Sequence, residues 1–162
     1  NRRIEVGPAC TFYFESYNTM WFQVHEMLYI EKGGVDQIDG ELKAYNPLIP
    51  NGHELVATVM IEVGDPERRS SLLSKLGGFE ETITLSVDNS VIEGVAEEDL
   101  DRTTADGKAS SVQFLRFPFT EDQISDFKNP VNDIILSIGH KNYRHMAGVP
   151  SNVRSALAGD FN

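Results

Sequence analysis

Apolar and polar residues alternate most regularly between Glu54 and Val63. Leu55, Ala57, Val59 and Ile61 fall on one face there, and this period of two predicts a β-strand that is covered on at least one side. Other alternating or apolar runs predict strands over 4–15, 82–87, 91–96, 112–119 and 133–138. Asp88-Asn89-Ser90 separates two of these runs, so we expect a β-hairpin at that point.

A helical period marks the remaining apolar segments. Asn18 is the predicted N-cap of a first helix over 19–32, which Gly33 and Gly34 end, and a second helix follows over 35–45. Further helices are predicted after Asp65, Thr120 and Ser151, and a polar loop over 139–148. Because strands and helices are mixed without sustained βαβ alternation, the sequence predicts an α+β fold. We expect a single domain over 1–162, with a mostly antiparallel sheet and helices packed on one side.

The first predicted helix is apolar nearly all round, yet it carries two carboxylates. Met20, Trp21, Val24, Met27 and Leu28 share one broad face, Glu31 projects onto that face, and Glu26 lies opposite between aromatic residues. A buried ionised carboxylate is costly unless it is paired or bound to metal. One interpretation is a buried acid group for proton transfer or metal binding, joined by Glu15 or Glu41. The other is that each acid reaches water or pairs with an arginine.

The predicted loop over 139–148 concentrates donors and titratable groups. His140, Lys141, Tyr143, Arg144 and His145 form a local positive spot that could bind an anionic ligand. The two histidines match no standard zinc spacing, so the sequence assigns no metal site and no cofactor. A solvated loop that balances nearby carboxylates explains the same residues.

The net charge of the chain limits the classes of partner that it can bind. Fourteen Lys and Arg against twenty-five Asp and Glu give a formal charge of −11, which argues against nucleic acid and membrane surfaces as partners. The segment from Glu80 to Asp106 is strongly acidic and fits a docking face for a basic partner.

The single cysteine, Cys10, fits a reducing compartment and is predicted to be a buried hydrophobic residue, so we expect a cytoplasmic protein. The chain opens at Asn1 rather than Met, so we expect a segment to precede it.

Several stretches together resemble a known family. They are Val6-Gly7-Pro8, the run from Gln23 to Glu31, the run from Glu41 to Pro50, Phe114-Leu-Arg-Phe117 and the closing helix after Val149-Pro150. These resemble the bacterial family called domain of unknown function 3501, over nearly the whole chain. The resemblance implies no established activity. It implies a redox or peroxide-defence setting, because the family's genes often lie beside a rubrerythrin-like protein and an iron–sulfur oxidoreductase.

Two hypotheses follow. The first is an accessory binding protein that is not an enzyme and whose acidic segment docks a basic protein surface of such a redox partner, with a homo-oligomer left open. The rival is an acid–base enzyme or metal binder that uses Glu26, Glu31 and Glu41, where oxygen ligands would favour iron or manganese.

Overall fold

The computed structural model describes residues 1–97 and 108–162. The described strands are β1 (Arg3–Val6), β2 (Cys10–Phe14), β3 (Glu54–Ile61), β4 (Ile83–Val87), β5 (Ser90–Glu93), β6 (Val95–Ala96), β7 (Val112–Pro118), β8 (Ile134–His140) and β9 (Tyr143–Gly148). The described α-helices are α1 (Tyr17–Glu31), α2 (Val35–Tyr45), α3 (Pro66–Leu73), α4 (Glu121–Lys128) and α5 (Ser151–Ala158). Short 3₁₀ turns cover Asn46–Leu48 and Phe79–Thr82.

The strands form two antiparallel sheets. The first sheet has the order β1-β2-β3-β7-β6 and the second has the order β5-β4-β8-β9. The predicted α+β fold with antiparallel pairing is therefore confirmed. Alternation within a strand does not specify which strands pair, so the division into two sheets is new information from the structure.

The hydrophobic core joins the two sheets. The alternation predicted for β3 is correct, since Leu55, Ala57 and Val59 are fully buried on the inner face. They belong to the same cluster as Leu85 and Leu136 of the second sheet. Burying one such side chain stabilises the fold by about 1.5–3 kcal/mol, so this shared cluster is the main force holding the sheets together.

Gly94 lies where one continuous stretch of chain passes from the second sheet to the first. β5 belongs to the second sheet and β6 to the first, with Gly94 between them. Its N–H donates to the Ile83 carbonyl at 2.9 Å. A Cβ at Gly94 would lie 3.2 Å from that carbonyl oxygen and 3.2 Å from the Phe117 ring, which is tighter than ordinary van der Waals contact. We infer that glycine is retained here because the crossing strands leave no room for a side chain.

The outer face of the first sheet carries α1. Met20 and Val24 are the buried residues of this helix, and Met20 packs against Leu48 and Val56 in a second, smaller cluster. The neighbouring α2 has no buried residue and packs mainly against α1. The helical pair thus touches the sheet over a small area, which leaves space beside the contact.

The first helix begins earlier than predicted, at Tyr17 rather than Thr19. Its N-cap is Ser16, not Asn18: the Ser16 hydroxyl accepts from the Thr19 N–H at 3.2 Å, and the Thr19 hydroxyl accepts from the Ser16 N–H at 2.8 Å. This reciprocal pair satisfies two backbone donors at once, whereas Asn18 would satisfy one.

Two other segments also differ from the prediction. The single strand predicted over 4–15 is a hairpin of β1 and β2 that turns at Gly7, whose φ of 72° is the left-handed conformation glycine tolerates. The loop predicted over 139–148 is instead the end of β8 and all of β9, which pair from Ile135–Gly148 to His140–Tyr143. Because β9 lies at a sheet edge, most of its residues are exposed and it lacks the apolar alternation of an inner strand.

None of the helices in the described ranges is both long and apolar enough to span a lipid bilayer.

Candidate functional site

A cleft of about 720 Å³ opens between α1 and the outer face of the first sheet. Its volume lies in the range of small-molecule sites. Apolar side chains make most of its wall, including Met20, Phe22, Tyr45, Leu48, Met60 and Phe114. The charged residues that line it are Arg2, Arg3 and Glu15. The cleft is therefore an apolar space with a few polar groups at defined positions.

Glu15 is the buried acid of this cleft. It follows β2 directly and is only 9% exposed. Its Oε2 accepts a hydrogen bond from the Thr19 hydroxyl at 2.6 Å, and its Oε1 accepts one from the Thr58 hydroxyl at 2.8 Å. These bonds tie the beginning of α1 to β3 and fix the carboxylate in one orientation. Within the described part of the chain, no Lys, Arg or His side chain forms an ion pair with Glu15.

The two arginines of the cleft are already engaged. Arg2 donates to the backbone carbonyls of Phe14 and Glu15 at 2.9 and 2.7 Å, and its Nη2 lies 2.5 Å from the Asp160 carboxylate. Arg3 pairs with Glu5 at 2.5 Å in an exposed position, and its guanidinium carbon lies 5.8 Å from the centre of the Tyr13 ring. Each of the two guanidinium groups thus has a carboxylate partner within the protein. The Glu15 carboxylate instead accepts hydrogen bonds from neutral hydroxyl groups.

The three carboxylates proposed from the sequence do not form a buried group. Glu26 and Glu31 are exposed and Glu41 is half-buried, so the interpretation as a buried acid group is wrong, and the alternative that the acids reach water is correct for Glu26 and Glu31. Glu31 and Glu41 do approach each other, because the amide of Gln37 donates to both at 2.8 and 2.9 Å. The reason for the error is that α1 contacts the sheet through its first two turns, and Glu31 in its last turn packs only near α2.

Glu31→Gln should therefore change the free energy of unfolding by less than about 0.5 kcal/mol, as is usual for an exposed position. A glutamine oxygen can still accept the hydrogen bond that Gln37 donates. Urea denaturation of the two proteins, followed by circular dichroism, measures the difference. A loss near 3 kcal/mol would instead indicate a buried charged partnership and would contradict the exposed position of Glu31.

The five residues proposed for anion binding do not form one cluster, although the rings of Tyr143 and His145 lie 4.5 Å apart. His140 and Tyr143 are buried, whereas Lys141, Arg144 and His145 are exposed. Both ring nitrogens of His140 are used: Nε2 bonds the Gly77 carbonyl at 3.1 Å, and Nδ1 accepts from the Asn142 N–H at 3.1 Å. Because successive strand residues point to opposite faces, Arg144 and His145 diverge. The interpretation as a solvated loop is also wrong, since these residues form a hairpin.

Tyr143 has a structural role. Its hydroxyl donates to the Val6 carbonyl at 2.7 Å and accepts from the Ala9 N–H at 3.0 Å. Burial is the main cause that raises its pKa above the ordinary value. Tyr143 thereby joins the edge of the second sheet to the turn between β1 and β2 in the first.

The other titratable groups give no metal centre. Among residues 1–97 and 108–162, no three or more His, Cys, Asp or Glu side chains are placed to hold a metal ion. Of the acidic segment from Glu80 to Asp106, Glu80 is buried and residues 98–107 lie outside the described residues. Cys10 is a buried free thiol, as predicted, and burial is the main cause that raises its pKa to about 12.

Large aromatic side chains cover the outside of α1. Tyr17, Trp21, Phe22 and Tyr29, which we call the aromatic face, are each more than half exposed. Trp21 shares the predicted apolar face with Met20 but is exposed, and its ring packs on His25, with ring centres 4.0 Å apart. Several exposed aromatic side chains on one helix are typical of interaction sites.

The family model described as DUF3501, a protein of unknown function, matches residues 1–161. The chain belongs to this family. The resemblance seen in the sequence is thus confirmed. The DUF3501 chain is also similar to the crystal structure of a protein of unknown function from Burkholderia pseudomallei K96243, with 35% identity and a TM-score of 0.89. That likeness covers 99% of this chain and 84% of the other. No curated protein matches the chain.

Sequence reasoning missed three important residues of this DUF3501 family member. Arg2 reaches Asp160 across 158 positions, Thr58 reaches Glu15 across 43, and Gln37 joins two acids that the sequence left separate. Thr58 carried one signal, since it is a polar residue on the face of β3 opposite the core. Arg2 and Gln37 carried none, because long-range pairing has no local pattern.

Proposed function

We propose that this protein is a binding module that docks a partner protein through the aromatic face of α1. The observation that carries this proposal is the set of four aromatic side chains that remain more than half exposed on one helix. Tyrosine and tryptophan provide much of the binding energy at protein interfaces, because they bury a large area with few rotatable bonds. A helix that served only the fold would turn these residues toward the sheet.

The charge around the aromatic face indicates the chemistry of the partner. Glu26, Glu31, Asp36 and Asp39 are all exposed beside it, and we call them the acidic rim. The region 17–45 holds five acids and two lysines, in a chain whose formal charge is −11. A second copy of this chain would meet like charge there, whereas a surface with apolar and basic residues would meet opposite charge. The favoured partner is therefore a basic protein surface.

The setting that we propose is redox or peroxide defence. This part of the proposal is supported by the resemblance described above, which places such genes beside a rubrerythrin-like protein and an iron–sulfur oxidoreductase. These two proteins are the first partners to test. We propose the aromatic face ahead of the segment from Glu80 to Asp106, of which Glu80 is buried and residues 98–107 lie outside the described residues.

The double variant Trp21→Ala/Tyr29→Ala should weaken binding to the true partner by at least about thirtyfold, or about 2 kcal/mol. Each purified candidate partner is titrated against the protein by calorimetry at low and high salt. We expect the affinity of the unaltered protein to fall as salt rises, because the acidic rim attracts the partner electrostatically.

Met146→Ala is the matched control, since Met146 is 71% exposed on the other sheet and its loss should leave the affinity unchanged. Equal affinity of the double variant and the unaltered protein would contradict docking through α1. Failure of both candidate partners to bind would contradict the redox setting. Elemental analysis that found about one equivalent of iron or manganese would favour the metal-binding alternative.

A further inference from the structure

We propose that the cleft beneath α1 binds an organic ammonium ion: a small molecule with an aromatic or aliphatic body and one protonated amine, held by the Glu15 carboxylate. This binding site shares Phe22 with the aromatic face, but it does not depend on the docking proposed above. Three observations carry it, namely the shape of the cleft, the balance of charge inside it and the hydrogen-bonding state of Glu15.

The cleft has the size and the surface that such a molecule needs. About 720 Å³ accommodates a ligand of one or two rings, and sites of this kind bind mainly through apolar walls with a few polar anchors. Met20, Leu48, Met60 and Phe114 supply apolar contacts on opposite sides, from α1, the adjacent 3₁₀ turn, β3 and β7. An apolar body would displace water from these walls, which favours binding.

The charge in the cleft selects a cation. Of the three charged residues that line it, Arg2 is paired with Asp160 and Arg3 with Glu5. Glu15 is the remaining one, and no cation among the described residues pairs with it. A carboxylate that is only 9% exposed gains strongly from a positive partner, because water screens the interaction weakly at such a depth. A carboxylate ligand would meet repulsion at the same place.

The hydrogen bonds of Glu15 leave it able to receive the ligand. Each oxygen accepts one bond from a threonine hydroxyl, Oε2 from Thr19 and Oε1 from Thr58. A carboxylate oxygen has two acceptor sites, so each can accept one more donor. An ammonium group has three donors and can bond both oxygens or one oxygen and a neighbouring hydroxyl. The two threonines also hold the carboxylate in place before the ligand arrives, which reduces the entropy lost on binding.

Tryptamine and tryptophol test this proposal, because they share the same indole body and differ in an ammonium against a hydroxyl group. The four methionines report the location: Met20 and Met60 line the cleft, whereas Met27 and Met146 do not. With methionine methyl groups labelled with ¹³C, tryptamine should shift the Met20 and Met60 resonances in a saturable way and leave the other two unchanged. Tryptophol should bind at least about tenfold more weakly.

Glu15→Gln should remove the preference for the amine, so that the two compounds bind within about twofold of each other. Glu62→Gln is the matched control, since Glu62 is exposed and outside the cleft, and it should keep the preference. If the unaltered protein bound the two compounds with equal affinity, the proposal would be overturned. This comparison uses the unaltered protein alone. Shifts confined to Met27 or Met146, or a preference that persists in Glu15→Gln, would overturn it as well.

Discussion

Arg2→Met should lower the free energy of unfolding by about 3–5 kcal/mol at neutral pH. The guanidinium group of Arg2 donates to the carbonyls of Phe14 and Glu15 at the end of β2, and it lies 2.5 Å from the carboxylate of Asp160, whose side chain is 9% exposed. Methionine has a similar volume, so it preserves packing while it leaves a buried carboxylate without its cation. Urea denaturation at pH 7 measures the loss.

The penalty of Arg2→Met should depend on pH in a defined direction. Burial raises the pKa of Asp160, and the hydrogen bond and the charge of Arg2 lower it only in part. Without Arg2 the pKa of Asp160 rises further, so the folded variant takes up a proton more readily than its unfolded chain. The penalty is therefore present in full at neutral pH and shrinks as falling pH protonates the carboxyl.

Arg3→Met is the matched control for this prediction. Arg3 and Glu5 have exposed side chains, and exposed ion pairs contribute about 0–1 kcal/mol. We expect this control to unfold nearly like the unaltered protein at pH 7 and at about pH 4.5. A penalty for Arg2→Met that is below 1 kcal/mol, or that is the same at both pH values, would contradict the assigned role of the Arg2–Asp160 pair.

Tyr143→Phe should cost about 2–3 kcal/mol of stability, because it removes one oxygen that serves two buried backbone groups. The Ala9 N–H loses its acceptor and the Val6 carbonyl loses a donor, at a point where little water can replace them. The ring itself is kept, so the loss reports the hydrogen bonds and not a cavity. Thermal and urea unfolding of the variant measure it.

Tyr13→Phe provides the comparison for Tyr143→Phe. Its hydroxyl donates to Glu62 at 3.0 Å in an exposed position, so we expect a loss below about 1 kcal/mol. If the two variants lost the same stability, the Tyr143 hydroxyl would not be the link between the two sheets that its contacts indicate.

The strands were largely predictable because each buries one face. In β3 every second residue enters the core, so the sequence itself shows the period, and the capping box of α4 was equally visible in Thr120 and Gln123. The partition into two sheets was not predictable, since the same alternation fits any partner strand. β9 was missed because an exposed edge strand has no apolar period to detect.

The candidate site was predictable only in part. Helix α1 is apolar on several sides, and periodicity cannot decide which apolar side the fold buries; it buries Met20 and Val24 and leaves Trp21 outside. The sequence pointed to the wrong acid for the same reason. Glu31 lies in the last turn of α1, beyond the part of the helix that contacts the sheet. Glu15 was named only as a neighbour of the other acids, and its hydrogen-bond partner Thr58 is 43 positions away in the sequence.

The lack of buried side chains in α2 has an evolutionary consequence. Substitutions along this helix carry little folding penalty, so mutations there pass the stability threshold that removes most core changes. Selection can then act on the exterior of α2 through recognition alone. Lineages that share this scaffold are free to diversify at the exposed positions of this helix that precede Glu41, while the two sheets stay the same.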